Sequence, residues 1–338
     1  MNSISESPHS ENRPVVLVTG GAGYIGSHAC KQLSMAGFAP VCFDNLSRGH
    51  AELVKWGPLE QGDLNNLDAM AAVIEKHQPV AVMHFAALAY VGESVAEPAM
   101  YYRNNVAGSA NLLEAMQGLD KPVIIFSSTC ATYGEPDSVP MGEDHRQCPV
   151  NPYGRSKLMV ETMIADMAVS HGFSYVNLRY FNAAGADPDA ETGELHDPET
   201  HLVPLALQAA NGQLDKLQVF GTDYPTPDGT CIRDYIHVSD LADAHVLALR
   251  YLLDGGENAS FNLANGHGFS VKEVIEAVER VTALAVPVEM AARRPGDPPA
   301  LVGDATAIRE ALGWQPQIAS LERIIETAWA FEQARKGD

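Results

Sequence analysis

Basic residues are scarce in this chain. Lys and Arg number 22 against 43 Asp and Glu, for a formal net charge of −21. No basic stripe exists to meet a phosphate backbone, which argues against nucleic acid as a partner. Any anionic ligand must then be met by a few local arginines. Paired cysteine motifs are also missing. Cys30, Cys42, Cys130, Cys148 and Cys231 show no CxxC spacing, so reduced thiols in a cytoplasmic protein are expected. The 12 histidines show no HExxH or comparable ligand spacing, so no metal site is expected. No run of 18 apolar residues occurs, so no transmembrane helix or membrane partner is expected. The first residues, MNSISESPHSENR, have no apolar core of a signal peptide and read as a disordered tail over 1–13. Internal repeats and low-complexity blocks are absent.

What is present is an alternation of strands and helices. Apolar β-formers at 15–19 precede a helical stretch at 23–36 that Gly37 ends. Strands follow at 40–43, 80–85, 123–127 and 174–180. Helices fall at 67–76, 100–116, 153–170 and, near the end, 321–334. This order predicts an α/β fold: a Rossmann-type doubly wound parallel sheet with a smaller mixed α/β substrate domain. The nucleotide domain is expected over 14–184. Residues 185–338, with polar loops at 185–200 and 223–230, are expected to form mainly the substrate domain, some segments returning to the first.

The first strand runs into Gly20, Gly23 and Gly26 in a GxxGxxG pattern that opens a helix. Glycines permit a tight turn and close backbone approach, and the helix start offers free N–H groups to a pyrophosphate. Asp44 ends the second strand, 18 residues beyond Gly26. A carboxylate there suits adenosine ribose hydroxyls and repels a 2′-phosphate, which favours NAD over NADP. Arg48 stands close enough to weaken that preference, and Asp44-Asn45 would also serve as an ordinary turn. Asp63 lies where adenine is expected. Phe85, Ala86 and Ala87 close a later strand with small residues that suit a dinucleotide or simple strand–helix packing.

Tyr153 and Lys157 sit four apart, stacked on one helical face. A free tyrosine titrates near 10 and is a poor base at pH 7. A cation one turn away, and a bound nicotinamide, would favour its phenolate. Alone such a pair is a common surface pattern; behind a dinucleotide loop it points to catalysis. The stretch 126–134 leaves a strand with hydroxyls, Ser127 and Thr129 among them, at the sheet edge where open α/β sheets bind ligands.

TGGAGYIG, HFAA, SSTCATYG, NPYGRSK, RYFNAAGA, RDYIHVSDLA and RRPGDP together resemble the extended short-chain dehydrogenase/reductases. Within them they are most similar to the 4-epimerases of UDP-glucose and UDP-galactose, from about residue 15 to the end. The resemblance implies that Tyr153 takes the proton of the sugar 4-hydroxyl while the C4 hydride passes to a tightly bound NAD. The 4-keto sugar turns over and the hydride returns to its other face. Thr129, where the family often has Ser, would bond O4, and Lys157 would tune Tyr153 and hold the nicotinamide ribose. The implied cofactor contacts further include Tyr24, Ile25, Asn45, Ser47, Leu64, Asn104, Ser127 and Tyr180. The implied substrate contacts are Phe181, Asn182, His201, Leu202, Phe220, Arg233, Arg294 and Asp297, with the two arginines on the diphosphate. The alternative for either arginine is a surface or interdomain ion pair.

Ala89 replaces a lysine that some relatives place near the phosphates. Leu301 stands at the gate of the sugar pocket, where it is intermediate in size, so UDP-xylose/UDP-arabinose or N-acetylated sugars stay open. A 4,6-dehydratase would need Asp-Glu after Thr129, where Cys130-Ala131 stand. A non-catalytic NAD-binding sensor has no use for Tyr153, Lys157 and Thr129 together. The resemblance also implies a homodimer, with the helices at 100–116 and 153–170 as candidate contacts.

Overall fold

A computed structural model describes residues 13–294 and 297–336. Residues 1–12 of the expected tail and the Pro-Gly of RRPGDP lie outside them. Strands run at β1 Val15–Thr19, β2 Ala39–Asp44, β3 Leu59–Gln61, β4 Ala81–His84, β5 Val123–Thr129, β6 Ser174–Tyr180, β7 Asn182–Ala184, β8 Leu217–Phe220, β9 Ile232–His237, β10 Ala259–Leu263, β11 Gly268–Ser270, β12 Val288–Ala291 and β13 Ala300–Leu301. Helices are α1 Tyr24–Met35, α2 Leu67–His77, α3 Val91–Ala96, α4 Pro98–Tyr101, α5 Gly108–Met116, α6 Pro152–His171, α7 Leu202–Ala210, α8 Val238–Leu253, α9 Val271–Thr282, α10 Thr306–Leu312 and α11 Leu321–Lys336. None is long and apolar enough to cross a membrane.

Seven strands form one parallel sheet in the order β10-β6-β5-β4-β1-β2-β3. The order reverses between β1 and β4, and such a switch point opens a crevice at the carboxyl ends of the strands. Successive side chains alternate between the two faces. Val16, Val18, Met83 and Ile125 pack with Ala29, Leu33, Leu241 and Leu249 of α1 and α8. Leu17, Val82, Ile124 and Phe126 pack with Met70, Leu112 and Val160 of α2, α5 and α6. Covered on both faces, β5 is buried at all seven positions, hydroxyl residues included. The Rossmann-type sheet expected from the alternation is thus present.

One feature differs from the sequence reading, and one returning strand is added to it. The predicted helix 100–116 is interrupted by a π turn at Tyr102–Ala107. The extra residue turns Asn104 toward the crevice, while buried Asn105 accepts from Leu88 N–H at 2.8 Å. The outer strand β10 comes from far down the chain and pairs with β6 in register Ala259 to Val176. A second sheet, β11-β9-β13 with β7 beside β9, and the β8–β12 pair wall the other side of the crevice.

Local chemistry sets the ends of α6. Asn151 Oδ1 accepts from Gly154 N–H at 2.8 Å and Pro152 occupies the first turn. Gly172, with φ 69°, closes it.

Four histidines are buried neutral. His84 bridges Thr19 Oγ1 (2.7 Å) and Ser109 Oγ (2.8 Å), and burial with the Lys157 charge lowers its pKa to about 3. His237 accepts from Ser239 N–H and donates to Thr327 Oγ1; burial lowers it to about 3. His28 and His245 donate to carbonyls one turn back and are lowered by burial to about 4. The unfolded chain protonates these rings below about pH 6.5 while the native state resists, so stability falls as pH drops through that window. Buried Asp234 and half-buried Asp243, raised to about 6, act in the opposite sense, as do Asp44, Glu143 and Asp240, which burial also raises. The rings begin to lose stability below about pH 6.5, before the carboxylates, which titrate lower, offset them. Melting temperatures should fall between pH 7 and 6; a flat profile would mean the rings are protonated without cost.

Candidate active site

The crevice is a single cleft of about 1210 Å³ along the carboxyl ends of β1, β2, β4, β5 and β6. At its floor Gly20 takes φ 74° and donates to the Phe43 carbonyl at 2.8 Å. A Cβ on Gly26 would stand 2.1 Å from the Gly20 carbonyl oxygen, and one on Gly20 would meet Ala86 N at 2.6 Å. Only glycine lets α1 start this close to the sheet. Gly23, the N-cap, makes no side-chain cap, and the first turn holds no acidic residue. The positive end of α1, with Tyr24, Ile25 and Gly26, therefore faces the cleft free of a competing anion.

Asp44 projects beside it. Its carboxylate accepts from Ala22 N–H (3.1 Å) and Leu46 N–H (2.8 Å); burial raises its pKa and these donors pull it back. Asn45 and Ser47 follow on the rim, and the Asn45 amide donates to Asp63 at 2.8 Å. Arg48 does not accompany Asp44 as a free cation. It bonds Glu93 at 2.7 Å and the Asp197 carbonyl at 2.9 Å, bridging the cleft mouth. Leu64, Phe85, Ala86, Ala87 and Ala89 form a low wall, with Phe85 and Ala86 N–H both on the Thr19 carbonyl. The uncapped helix end, the ribose-ready carboxylate and the small-residue wall suit a dinucleotide diphosphate.

Ser127 and Thr129 from β5, Tyr180 from β6 and Asn104 from the π turn converge on Tyr153 and Lys157 of α6. Ser127 Oγ is hydrogen-bonded to the Tyr180 hydroxyl. Lys157 Nζ donates to the Ser127 carbonyl at 2.8 Å and stands 4.9 Å above the Phe126 ring. Tyr153 is raised far above its ordinary value by burial and by the neighbouring Tyr180 phenol, with the Thr129 hydrogen bond acting downward. Lys157 is lowered to about 7 by burial, against the pull of Glu161. One turn beyond Tyr153 on α6, the amine reaches across to β5. Burial outweighs the Thr129 hydrogen bond, and Tyr153 stays a neutral phenol.

On the facing wall lie Phe181, Asn182, His201, Leu202, Phe220, Arg233, Arg294, Asp297 and Leu301. Asn182 donates to the Asp234 carbonyl at 3.0 Å. Arg233 is paired with Asp297 and also donates to the Ile232 carbonyl at 2.7 Å. The Arg294 guanidinium lies 4.1 Å over the Phe220 ring. His201 meets Glu194 at 2.6 Å and Glu199 at 2.9 Å; these carboxylates overcome burial and raise it to about 10. Every predicted contact residue thus lines the same cleft.

The sequence reading missed Tyr90, Glu194, His196, Glu199 and Lys216, which line it too. Tyr90 and Lys216 carry no spacing signal. The other three share an eight-residue stretch with His201, and that density was the available clue. Tyr24, by contrast, turns its hydroxyl away to donate to the Gly185 carbonyl at 2.6 Å.

The chain matches the NAD dependent epimerase/dehydratase family over residues 16–264. It is 52% identical over 320 residues to the UDP-glucose 4-epimerase of Rhizobium meliloti (strain 1021), covering 95% of this chain and 97% of that one. The UDP-glucose 4-epimerase of Brucella ovis, solved in complex with NAD, superimposes with TM-score 0.92 at 55% identity, covering 94% and 98%. The Stenotrophomonas maltophila UDP-glucose-4-epimerase, solved with NAD and formylated UDP-arabinopyranose, gives TM-score 0.92 at 42% identity, covering 96% and 99%. Sheet order, glycine turn and these matches agree: the chain belongs to the NAD dependent epimerase/dehydratase family.

Proposed function

We propose that this chain is a UDP-glucose 4-epimerase that interconverts UDP-galactose and UDP-glucose and keeps its NAD bound through the cycle. The observation that carries this reading is the meeting of Tyr153, Thr129 and Lys157 in one cleft with the uncapped start of α1 and with Asp44. Gly20, Gly23 and Gly26 let the α1 backbone hold the cofactor diphosphate, and Asp44 accepts from the adenosine ribose. Asn45, Ser47, Asp63 and Leu64 border the adenine, and Phe85 to Ala87, Asn104, Ser127 and Tyr180 border the remainder. When bound, NAD supplies a hydride acceptor and a positive charge beside Tyr153. Tyr153 removes and returns the proton of the sugar 4-hydroxyl, and Thr129 holds O4 and the phenol together. Lys157, anchored on the Ser127 carbonyl, holds the nicotinamide ribose and favours the phenolate once charged.

Arg233 and Arg294 take the UDP diphosphate, with Asp297 holding Arg233 in place until the ligand arrives. Phe181, Asn182, His201, Leu202 and Phe220 face the uridine and sugar. Residues 14–184 then serve mainly the cofactor and 185–338 mainly the substrate, with α8 and β10 returning to the first sheet. A cytoplasmic homodimer, paired through the region of α5 and α6, completes the reading; its five free thiols suit a reducing compartment.

Purified protein incubated with UDP-galactose and no added cofactor should form UDP-glucose. Protein that contains NAD yet leaves UDP-galactose unchanged would sink the hexose reading. Leu301 at the cleft wall supports one second reading, a UDP-pentose or UDP-N-acetylhexosamine substrate, and the same assay with those sugars decides it.

A further inference from the structure

We propose that Glu194, His196, Glu199 and His201 form a binding site for a divalent transition-metal ion of the zinc class in the cleft wall. One ligand atom from each lies within 4.8 Å of the others. Glu194 Oε1 is shared, at 2.8 Å from His196 Nδ1 and 2.6 Å from His201 Nδ1. Glu199 Oε1 stands 2.9 Å from the same His201 nitrogen. Two imidazoles and two carboxylates make a four-ligand nitrogen–oxygen set of the kind zinc takes. Calcium and magnesium prefer oxygen alone. No recognised motif announces the site, because the spacings are two, three and two.

The charge balance points the same way. Both glutamate side chains are 8% exposed, so two carboxylates converge away from water. Arg48 reaches this loop but bonds Glu93 and the Asp197 carbonyl. The neighbouring cluster of Asp187, Asp189 and Glu191 makes the contrast. There the chain inserts its own cation, Lys31 Nζ, at 2.8, 3.0 and 2.6 Å. At Glu194 and Glu199 it inserts imidazoles, which are ligands as well as cations. A divalent ion with two neutral rings balances two carboxylates, and the proton between His201 and Glu194 leaves to solvent.

Supporting contacts hold the donors in place. Thr200 and His201 N–H donate to Glu199 Oε1 at 2.6 and 2.8 Å. Tyr24 and Tyr90 pack edge-on against the His196 ring at 6.1 and 5.6 Å. Outer contacts of this kind fix ligand orientation in metal sites. Ligand atoms on a tetrahedral ion with bonds near 2.0–2.1 Å stand roughly 3.3 Å apart. The ion would tie the 194–201 loop to the start of α7.

The full chain, stripped with EDTA and dialysed, is titrated with zinc chloride by calorimetry and with cobalt chloride by visible absorption. One ion per chain should bind, cobalt should give the intense d–d bands of a low-coordinate nitrogen–oxygen site, and zinc should raise the melting temperature. His196→Gln and Glu199→Gln should each weaken binding by at least about tenfold and abolish the melting rise. Their metal-free melting curves report whether each variant is folded. His171→Gln, at an exposed ring far along the chain, should bind like the parent. No saturable binding, equal binding by folded His196→Gln, or a cobalt–thiolate charge-transfer band would overturn the proposal. None of these readouts depends on turnover, so the site stands or falls apart from the epimerase reading.

Discussion

Tyr153→Phe should retain bound NAD, melt close to the parent, and lose about 10²–10⁴ of the turnover with UDP-galactose. The phenyl ring keeps the volume of a side chain that is only 9% exposed, so the fold loses little beyond one hydrogen bond with Thr129, about 1 kcal/mol. What disappears is the hydroxyl that, in the proposed reading, exchanges a proton with the sugar 4-hydroxyl. Tyr180 is the rival phenol, but its hydroxyl is bound to Ser127. Thr129→Val should lose less, because Tyr153 remains. Stopped assays on NAD-replete protein separate chemistry from cofactor loss. A Tyr153→Phe enzyme with a tenth or more of parental turnover would remove Tyr153 from the role of base.

That prediction was within reach of the sequence because it rests on short-range signals. A strand, three glycines and a helix start are local, and so are Tyr153 and Lys157 at one helical turn. Asp44 follows from strand length. What the sequence could not convey is how buried groups settle against one another. The Lys157 amine bonds the Ser127 carbonyl, 30 positions away, so its direction depends on the α6–β5 packing. Arg233 meets Asp297 across 64 residues. The strand at Ala259–Leu263 is short; it is a strand because the edge of β6 is open to it. The π turn that turns Asn104 toward the cleft leaves no trace in composition, since YRNNVA reads as ordinary helix. Long-range pairing and burial decided each of these.

Glu161→Leu should be the most damaging change outside the reacting groups, costing about 3–5 kcal/mol. Glu161 and Arg179 are 5% and 7% exposed. Arg179 Nε donates to both carboxylate oxygens at 3.0 and 3.2 Å and Nη2 to Oε2 at 2.7 Å. Ser128 and Gln147 also donate to Glu161. Arg179 Nη1 reaches the Tyr133 hydroxyl, which itself donates to Asn262 Oδ1 at 2.7 Å. One network therefore joins α6, β5, β6 and β10. Removing only the carboxylate strands a buried guanidinium, and a loss of this size is a large share of a typical domain stability. Glu161→Leu with Arg179→Met removes both charges and should recover most of the loss. Urea unfolding of the two variants tests this, and equal destabilisation would show that shape rather than charge was the cause. Recovery of stability should not bring back full turnover. Glu161 lies one turn beyond Lys157 on α6 and is the group that holds its amine up against burial. Without that charge the amine falls below about 7 and gives Tyr153 less support, so the double variant should fold like the parent and turn over more slowly.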